Sequence, residues 1–305
     1  MTSIQRRMRG SITPVVTPFT DDNQVDHETL KRLINWQLGE GSHGISVTGT
    51  TGEPGALTLD EREAIFRTTV EAVDGRVPVL LGSGSTNLEE TLRLTHTAER
   101  AGADAVLVIV PYYNRPSQEG LSQYFVTVAR STALPLIIYN IPGRTATNIE
   151  PETVKRICLA AENVIGIKES NRDFEQVTKV LHLMGPDFLV YSGIETLCYP
   201  MLALGGAGHI SATANILPRP VADLYNLVAQ GEWKKARELH YYLYPLNDAL
   251  FWETNPGPLK AALGMMGKIR PHLRLPLVAI SPEHYRGLEA ILRQYGLLPN
   301  EGGRD

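Results

Sequence analysis

Short apolar runs recur along the chain at residues 12–16, 44–48, 77–82, 105–110, 136–140, 164–168, 188–192 and 208–211. They are continuously apolar rather than alternating, the pattern of strands buried on both faces. Between them lie segments whose apolar residues recur at helical spacing, among them 27–38, 60–73, 88–100, 118–132 and 152–159. Start signals accompany several: Asp26 before HETLKRL, Thr58 before LDEREAIF, and Pro151 in EPETVKRI. Eight β/α units in succession predict a TIM (β/α)8 barrel. The competing architecture, an open doubly wound sheet, lacks the G-x-G-x-x-G expected after its first strand. Helical patterns continue at 218–230, 232–251, 256–266 and 281–295. The first completes the barrel. The chain therefore divides into a barrel over 1–230 and a C-terminal helical extension over 231–305, with no low-complexity linker between them.

Composition changes the picture mainly by exclusion. The 305 residues are 43% hydrophobic and 20% charged, as in a soluble globular protein. Net charge is −4, from 29 basic and 33 acidic residues, which argues against a nucleic-acid partner held by a basic face. The two cysteines, Cys158 and Cys198, sit in apolar segments and predict small core residues rather than a disulfide framework or a zinc site. The eight histidines form no H-x-x-x-H cluster, so no metal site is expected. The N-terminus has no apolar stretch of signal-peptide length, and no run approaches a membrane span. A cytoplasmic protein with no membrane partner is expected.

A barrel concentrates its chemistry at the C-terminal ends of its strands. After the first run come Thr13-Pro14 and Thr17-Pro18, after the second TGTTGE, and after the third GSGSTN. PYYNRPS and YNIPGRT follow the fourth and fifth. Lys168 ends the sixth run with no turn residue before it. An ammonium is costly to bury, and desolvation lowers its pKa towards a neutral amine. Such an amine condenses with a ketone to a Schiff base. The plainer reading is an ion pair, but the adjacent Glu169 faces the other side of a strand. Tyr139, ending the neighbouring fifth run, reaches the same cavity, where a phenol either passes protons during imine formation or packs at the rim. Arg144 either grips a substrate carboxylate bidentately or is a surface arginine. Thr50 and Thr51 offer hydroxyls and backbone N–H groups to a carboxylate, although such a loop is also a common turn. Tyr112 and Tyr113 bring two further phenols to the mouth. The glycines of LGGAGHIS precede the eighth strand, at the barrel's bottom face, and read as a turn rather than a phosphate loop.

These residues resemble the dihydrodipicolinate synthase and N-acetylneuraminate lyase family of Schiff-base aldolases. The resemblance spans nearly the whole chain, through TPVVTPF (13–19), GTTGE (49–53), PYYNRPSQEG (111–120), YNIPGRT (139–145), GIKES (166–170) and NPGPLK (255–260). It implies that Lys168 forms a Schiff base with pyruvate, that Tyr139 shuttles protons over the imine, and that Thr50 relays them. Tyr113 would complete the relay from a neighbouring subunit. Thr51, with Thr50, would hold the pyruvate carboxylate, and Gly193 and Ile210 would line the pocket through their backbones. The resemblance further implies no cofactor and a homotetramer built from tight dimers. PGRT favours the synthase branch, which condenses pyruvate with aspartate semialdehyde, with Arg144 on the carboxylate of that aldehyde. The loop SGIETL carries one carboxylate, Glu195, as a substrate-binding candidate where synthases tend to read GDD. That departure leaves alternatives in the same family: an aldolase or dehydratase of 2-keto-3-deoxy sugar acids, or a hydroxy-oxo-acid aldolase. A catalytically silent keto-acid-binding barrel is the alternative outside it. Pro54 also departs, standing where synthases usually have serine. Leu59 and Arg62 stand where lysine-regulated synthases carry histidines, although Glu90 matches an acidic position there. Weak or absent feedback by lysine is expected.

Overall fold

A computed structural model describes residues 1–299. The apolar runs become β1 (Gly10–Pro14), β2 (Gly44–Val47), β3 (Val79–Gly82), β4 (Ala105–Ile109), β5 (Leu136–Asn140), β6 (Val164–Glu169), β7 (Leu189–Ser192) and β8 (Gly208–Ile210). They form a closed parallel barrel in chain order, with Gly10 of β1 against Gly208 of β8 at the seam. The TIM barrel expected from the periodicity is the observed fold. Strand ends move by one or two residues. β1 begins earlier because Gly10 pairs with β8, so Thr13-Pro14 lies inside the strand rather than after it. β6 runs one residue past Lys168.

The helices are α1 (Ser3–Arg7), α2 (His27–Gly39), α3 (Leu59–Val73), α4 (Leu88–Ala101), α5 (Gln118–Arg130), α6 (Pro142–Thr145), α7 (Pro151–Ala160), α8 (Phe174–Met184), α9 (Cys198–Ala203), α10 (Pro218–Ala229), α11 (Trp233–Ala249), α12 (Gly257–Met265) and α13 (Pro282–Gln294). The start signals act as caps. Asp26 accepts from the Thr29 N–H at 2.9 Å, and Thr58 and Glu61 form a reciprocal capping box. Pro151 occupies the first turn of α7, where its missing N–H leaves no bond unmade. α1 adds a helix to those the apolar spacing predicts, and its own capping box, Thr2 with Gln5, is legible in TSIQ. The residue after it, Met8, is buried in the barrel interior, where its carbonyl accepts from the Tyr191 hydroxyl at 2.7 Å.

Two apolar clusters follow from strand alternation. Ile12, Leu80, Leu107, Ile137, Leu189 and Tyr191 fill the barrel. Val79, Leu81, Val106, Val108, Ile138 and Val190 face outward against the helices. The outer cluster continues without a break into the extension through Leu243, Leu246, Leu259 and Leu288. Residues 300–305, the end of the extension expected over 231–305, lie outside the described residues. Cys198 is buried and Cys158 half-buried, and neither is in a disulfide. Among the described residues no helix is long and apolar enough to cross a membrane.

Candidate active site

The direction of Lys168 is set by an irregularity in β6. Leu136 pairs with Val164, but the next residue of β5, Ile137, pairs with Gly166, so β6 carries one extra residue. Val164 lies in the outer cluster and Ile165 in the inner one, as alternation requires. Strict alternation would then send Ile167 inward and Lys168 outward. The extra residue reverses the phase: Ile167 joins the outer cluster. Lys168, now inward, pairs in register with Tyr139. Bulges near active sites re-aim side chains in this way. Gly166 makes the bulge possible, because a Cβ there would stand 2.4 Å from the Leu189 carbonyl oxygen.

Inside the mouth, Lys168 is 6% exposed and its Nζ lies 4.2 Å from the centroid of the Tyr139 ring. The Tyr139 hydroxyl and Thr50 Oγ1 are 3.2 Å apart, within hydrogen-bond reach. Thr50 opens a short 3-10 turn, Thr50–Gly52, just beyond β2. The bonds of that turn run from the Gly52 and Glu53 N–H groups, so those of Thr50 and Thr51 stay outside them. Gly193, after β7, lets the lysine pass. A Cβ there would meet Lys168 Cε at 2.7 Å and Ser170 Oγ at 2.1 Å.

Lys168, Tyr139, Thr50, Thr51, Arg144, Gly193, Glu195 and Ile210 line one cavity of about 40 Å³. That is space for roughly three water molecules, the scale of a small keto acid. Glu195 is buried, accepts from the Ala212 N–H at 2.7 Å, and has its carboxyl pushed up by burial while Lys168 pulls it down. Arg144 lies on α6, and its guanidinium donates to the Asn255 carbonyl at 3.3 Å. Outside the small cavity, a chamber of about 590 Å³ shares Arg144, Gly193 and Glu195 with it and adds Arg172 and Asp248. The remaining sequence candidate, Tyr113, is not in this group: it is 90% exposed, with a left-handed backbone (φ 70°).

Sequence reasoning missed Asn255 and Phe251, which also line the inner cavity. Asn255 stood inside the quoted motif NPGPLK, but a search of strand ends does not reach a segment beyond the barrel. Behind the site, Glu169 points away from Lys168. It accepts from Asn140 (2.9 and 3.2 Å), Gln176 (3.1 Å) and the Asn171 N–H (2.9 Å), and burial pushes its carboxyl up to about 7. A separate cavity of about 350 Å³ backs onto Thr50 and Tyr139 without reaching Lys168. In it Arg62 is buried and donates to the carbonyls of Gly82 (2.7 Å) and Gly84 (3.4 Å), and Glu90 accepts from Ser85 Oγ at 2.7 Å.

A closed parallel barrel with an inward lysine, a phenol and a hydroxyl at its C-terminal mouth defines a class I, Schiff-base type of lyase site. The model of the Dihydrodipicolinate synthetase family matches residues 7–295, and the chain belongs to that family. A 4-hydroxy-tetrahydrodipicolinate synthase of Thermus thermophilus is 48% identical over 96% of this chain and 98% of its own. The crystal structure of a dihydrodipicolinate synthase from Aquifex aeolicus superposes with a TM-score of 0.94 at 41% identity, covering 96% of this chain and 100% of that one. Another, from Cyanidioschyzon merolae with lysine bound, gives 0.92 at 34% identity, over 96% and 99%.

Proposed function

We propose that the chain acts as a 4-hydroxy-tetrahydrodipicolinate synthase, condensing pyruvate with aspartate semialdehyde. The observation that carries the chemistry is Lys168 Nζ against the Tyr139 ring, with Thr50 in reach of the Tyr139 hydroxyl. The Lys168 amine attacks the carbonyl carbon of pyruvate, and the oxygen leaves as water when the imine forms. Tyr139 supplies and recovers the protons of that exchange, with Thr50 passing them on. Thr50 and Thr51 hold the pyruvate carboxylate through hydroxyl and N–H groups. The guanidinium of Arg144, at the boundary of the two chambers, receives the carboxylate of the second substrate. Glu195 and the backbones of Gly193 and Ile210 shape the same cavity.

Tyr113 enters the relay from a second copy of the chain, in a tetramer built from tight dimers. Its outward exposure in the single chain supports that role. Lysine feedback is weak or absent. Where lysine-regulated synthases have histidines this chain has Leu59 and Arg62, and the buried Arg62 guanidinium is already committed to two carbonyls.

The test is turnover with pyruvate plus aspartate semialdehyde, set beside a panel of 2-keto-3-deoxy sugar acids. The proposal expects turnover of the first pair, unchanged by added L-lysine. Turnover of the sugar acids alone would reject the synthase assignment.

A further inference from the structure

The segment Asn255–Lys260 takes no part in the chemistry above, yet it touches both arms of the site. The Asn255 side-chain amide donates to Thr51 Oγ1 at 3.1 Å, and the Asn255 backbone carbonyl accepts from Arg144. One residue thus joins the group assigned to the first substrate with the group assigned to the second. Further along, in α12, Lys260 is fully buried and forms an ion pair with Glu53, which is fully buried too. Lys260 Nζ also donates to the His272 carbonyl at 2.9 Å and lies 4.1 Å from the centroid of the Phe19 ring.

Glu53 is the residue that ends the Thr50–Gly52 turn, and it does so in the left-handed region (φ 55°). A non-glycine residue there costs on the order of 1 kcal/mol and persists only where its surroundings hold it. The turn's last N–H, that of Glu53, bonds the Thr50 carbonyl at 3.2 Å, so a shift of Glu53 is a shift of Thr50. Burying two opposite charges is a poor route to stability, since well-packed apolar residues do as well or better. What the pair adds is a fixed position for Glu53: its carboxylate is held by the Lys260 ammonium, with Arg274 a weaker second partner.

We infer that Asn255–Lys260 is a positioning element of the active site: Lys260 anchors the Thr50–Gly52 turn through Glu53, and Asn255 sets Thr51 and Arg144 in register. The inference rests on the reading of Lys168 as the Schiff-base lysine and of Thr50 and Thr51 as the pyruvate carboxylate site. Removing Lys260 leaves a buried carboxylate without its main cation, and the turn relaxes. Pyruvate is then held less well, while the lysine still reacts.

Three variants of the full chain test it: Lys260→Met with Glu53→Gln as a double substitution, Lys260→Met alone, and Asn255→Ala. KM is measured for both substrates, kcat at saturation, thermal melting, and the adduct formed with pyruvate and borohydride. The double variant should melt above the single one, because no lone buried charge remains. Its KM for pyruvate should nevertheless stay raised by about 10-fold, the scale of one lost positioning bond. Asn255→Ala deletes the donor to Thr51 and keeps the backbone carbonyl used by Arg144, so it should raise KM for pyruvate by a similar factor while still forming adduct and melting cooperatively. A purely structural pair predicts that restoring stability restores KM, and a double variant with wild-type KM overturns the inference. So does a folded Asn255→Ala variant with an unchanged KM for pyruvate. Absence of adduct in the wild type overturns the Schiff-base reading and this inference with it. Adduct in the wild type with unaltered KM in the variants overturns this inference alone.

Discussion

Lys168 owes its usefulness to what surrounds one side chain: a phenol ring 4.2 Å away and a glycine, Gly193, where any Cβ would block it. Tyr139 is the residue whose removal best separates binding from proton transfer. Tyr139→Phe keeps the ring under the amine and deletes the hydroxyl. It should lower kcat by about 10²- to 10⁴-fold while the pyruvate adduct still forms. Loss of the adduct as well, in a folded variant, would make Tyr139 a structural residue. Lys168, Tyr139, Thr50 and Arg144 were legible in the chain because each is a reactive group at the end of a strand or in the segment just after one. Asn255 was not: an amide in a loop beyond the barrel carries no charge or period that marks it, and only the fold brings it to Thr51.

At the scale of elements, β6 shows what an apolar run conceals. VIGIK announces a buried strand but carries no in–out alternation, so the extra residue at Ile165–Gly166 and the phase it reverses cannot be read from it. The strands themselves were legible, within a residue or two, because burial on both faces writes each as one apolar block. Gly166→Ala places a methyl against the Leu189 carbonyl. The variant should lose about 1–3 kcal/mol of stability and most of its rate of adduct formation, read by thermal melting and by trapping. Unchanged trapping would mean that the bulge does not aim Lys168. The outer face of the same strand has its own consequence. Glu169 is bonded by Asn140, Gln176 and the Asn171 N–H, with no cation among these partners, and its carboxyl is pushed up to about 7. The folded chain therefore holds a proton there that the unfolded chain releases near pH 4.5. Stability falls as pH rises from about 4.5 to 7, by up to about 3 kcal/mol. Glu169→Gln, which cannot ionise, should flatten that slope in melting experiments across the range. An unchanged slope would place the titration elsewhere.

For the molecule as a whole, the barrel supplies the mouth, the extension adds Phe251 and Asn255 to its lining, and one expected participant, Tyr113, stands exposed outside it. If a second copy brings Tyr113 into the relay, activity per chain should fall as the protein is diluted to monomer, with Tyr113→Phe lowering kcat of the assembled protein and changing little in the monomer. Constant specific activity in a sample shown by sedimentation to be monomeric would exclude that arrangement. All of this depends on the lysine itself. The most direct measurement is to incubate the chain with pyruvate, reduce with borohydride, and map the modified peptide by mass spectrometry. The account predicts a single pyruvate-derived mass increase on the peptide carrying Lys168, absent without pyruvate and absent in Lys168→Ala. No adduct, or an adduct on another lysine, would contradict it.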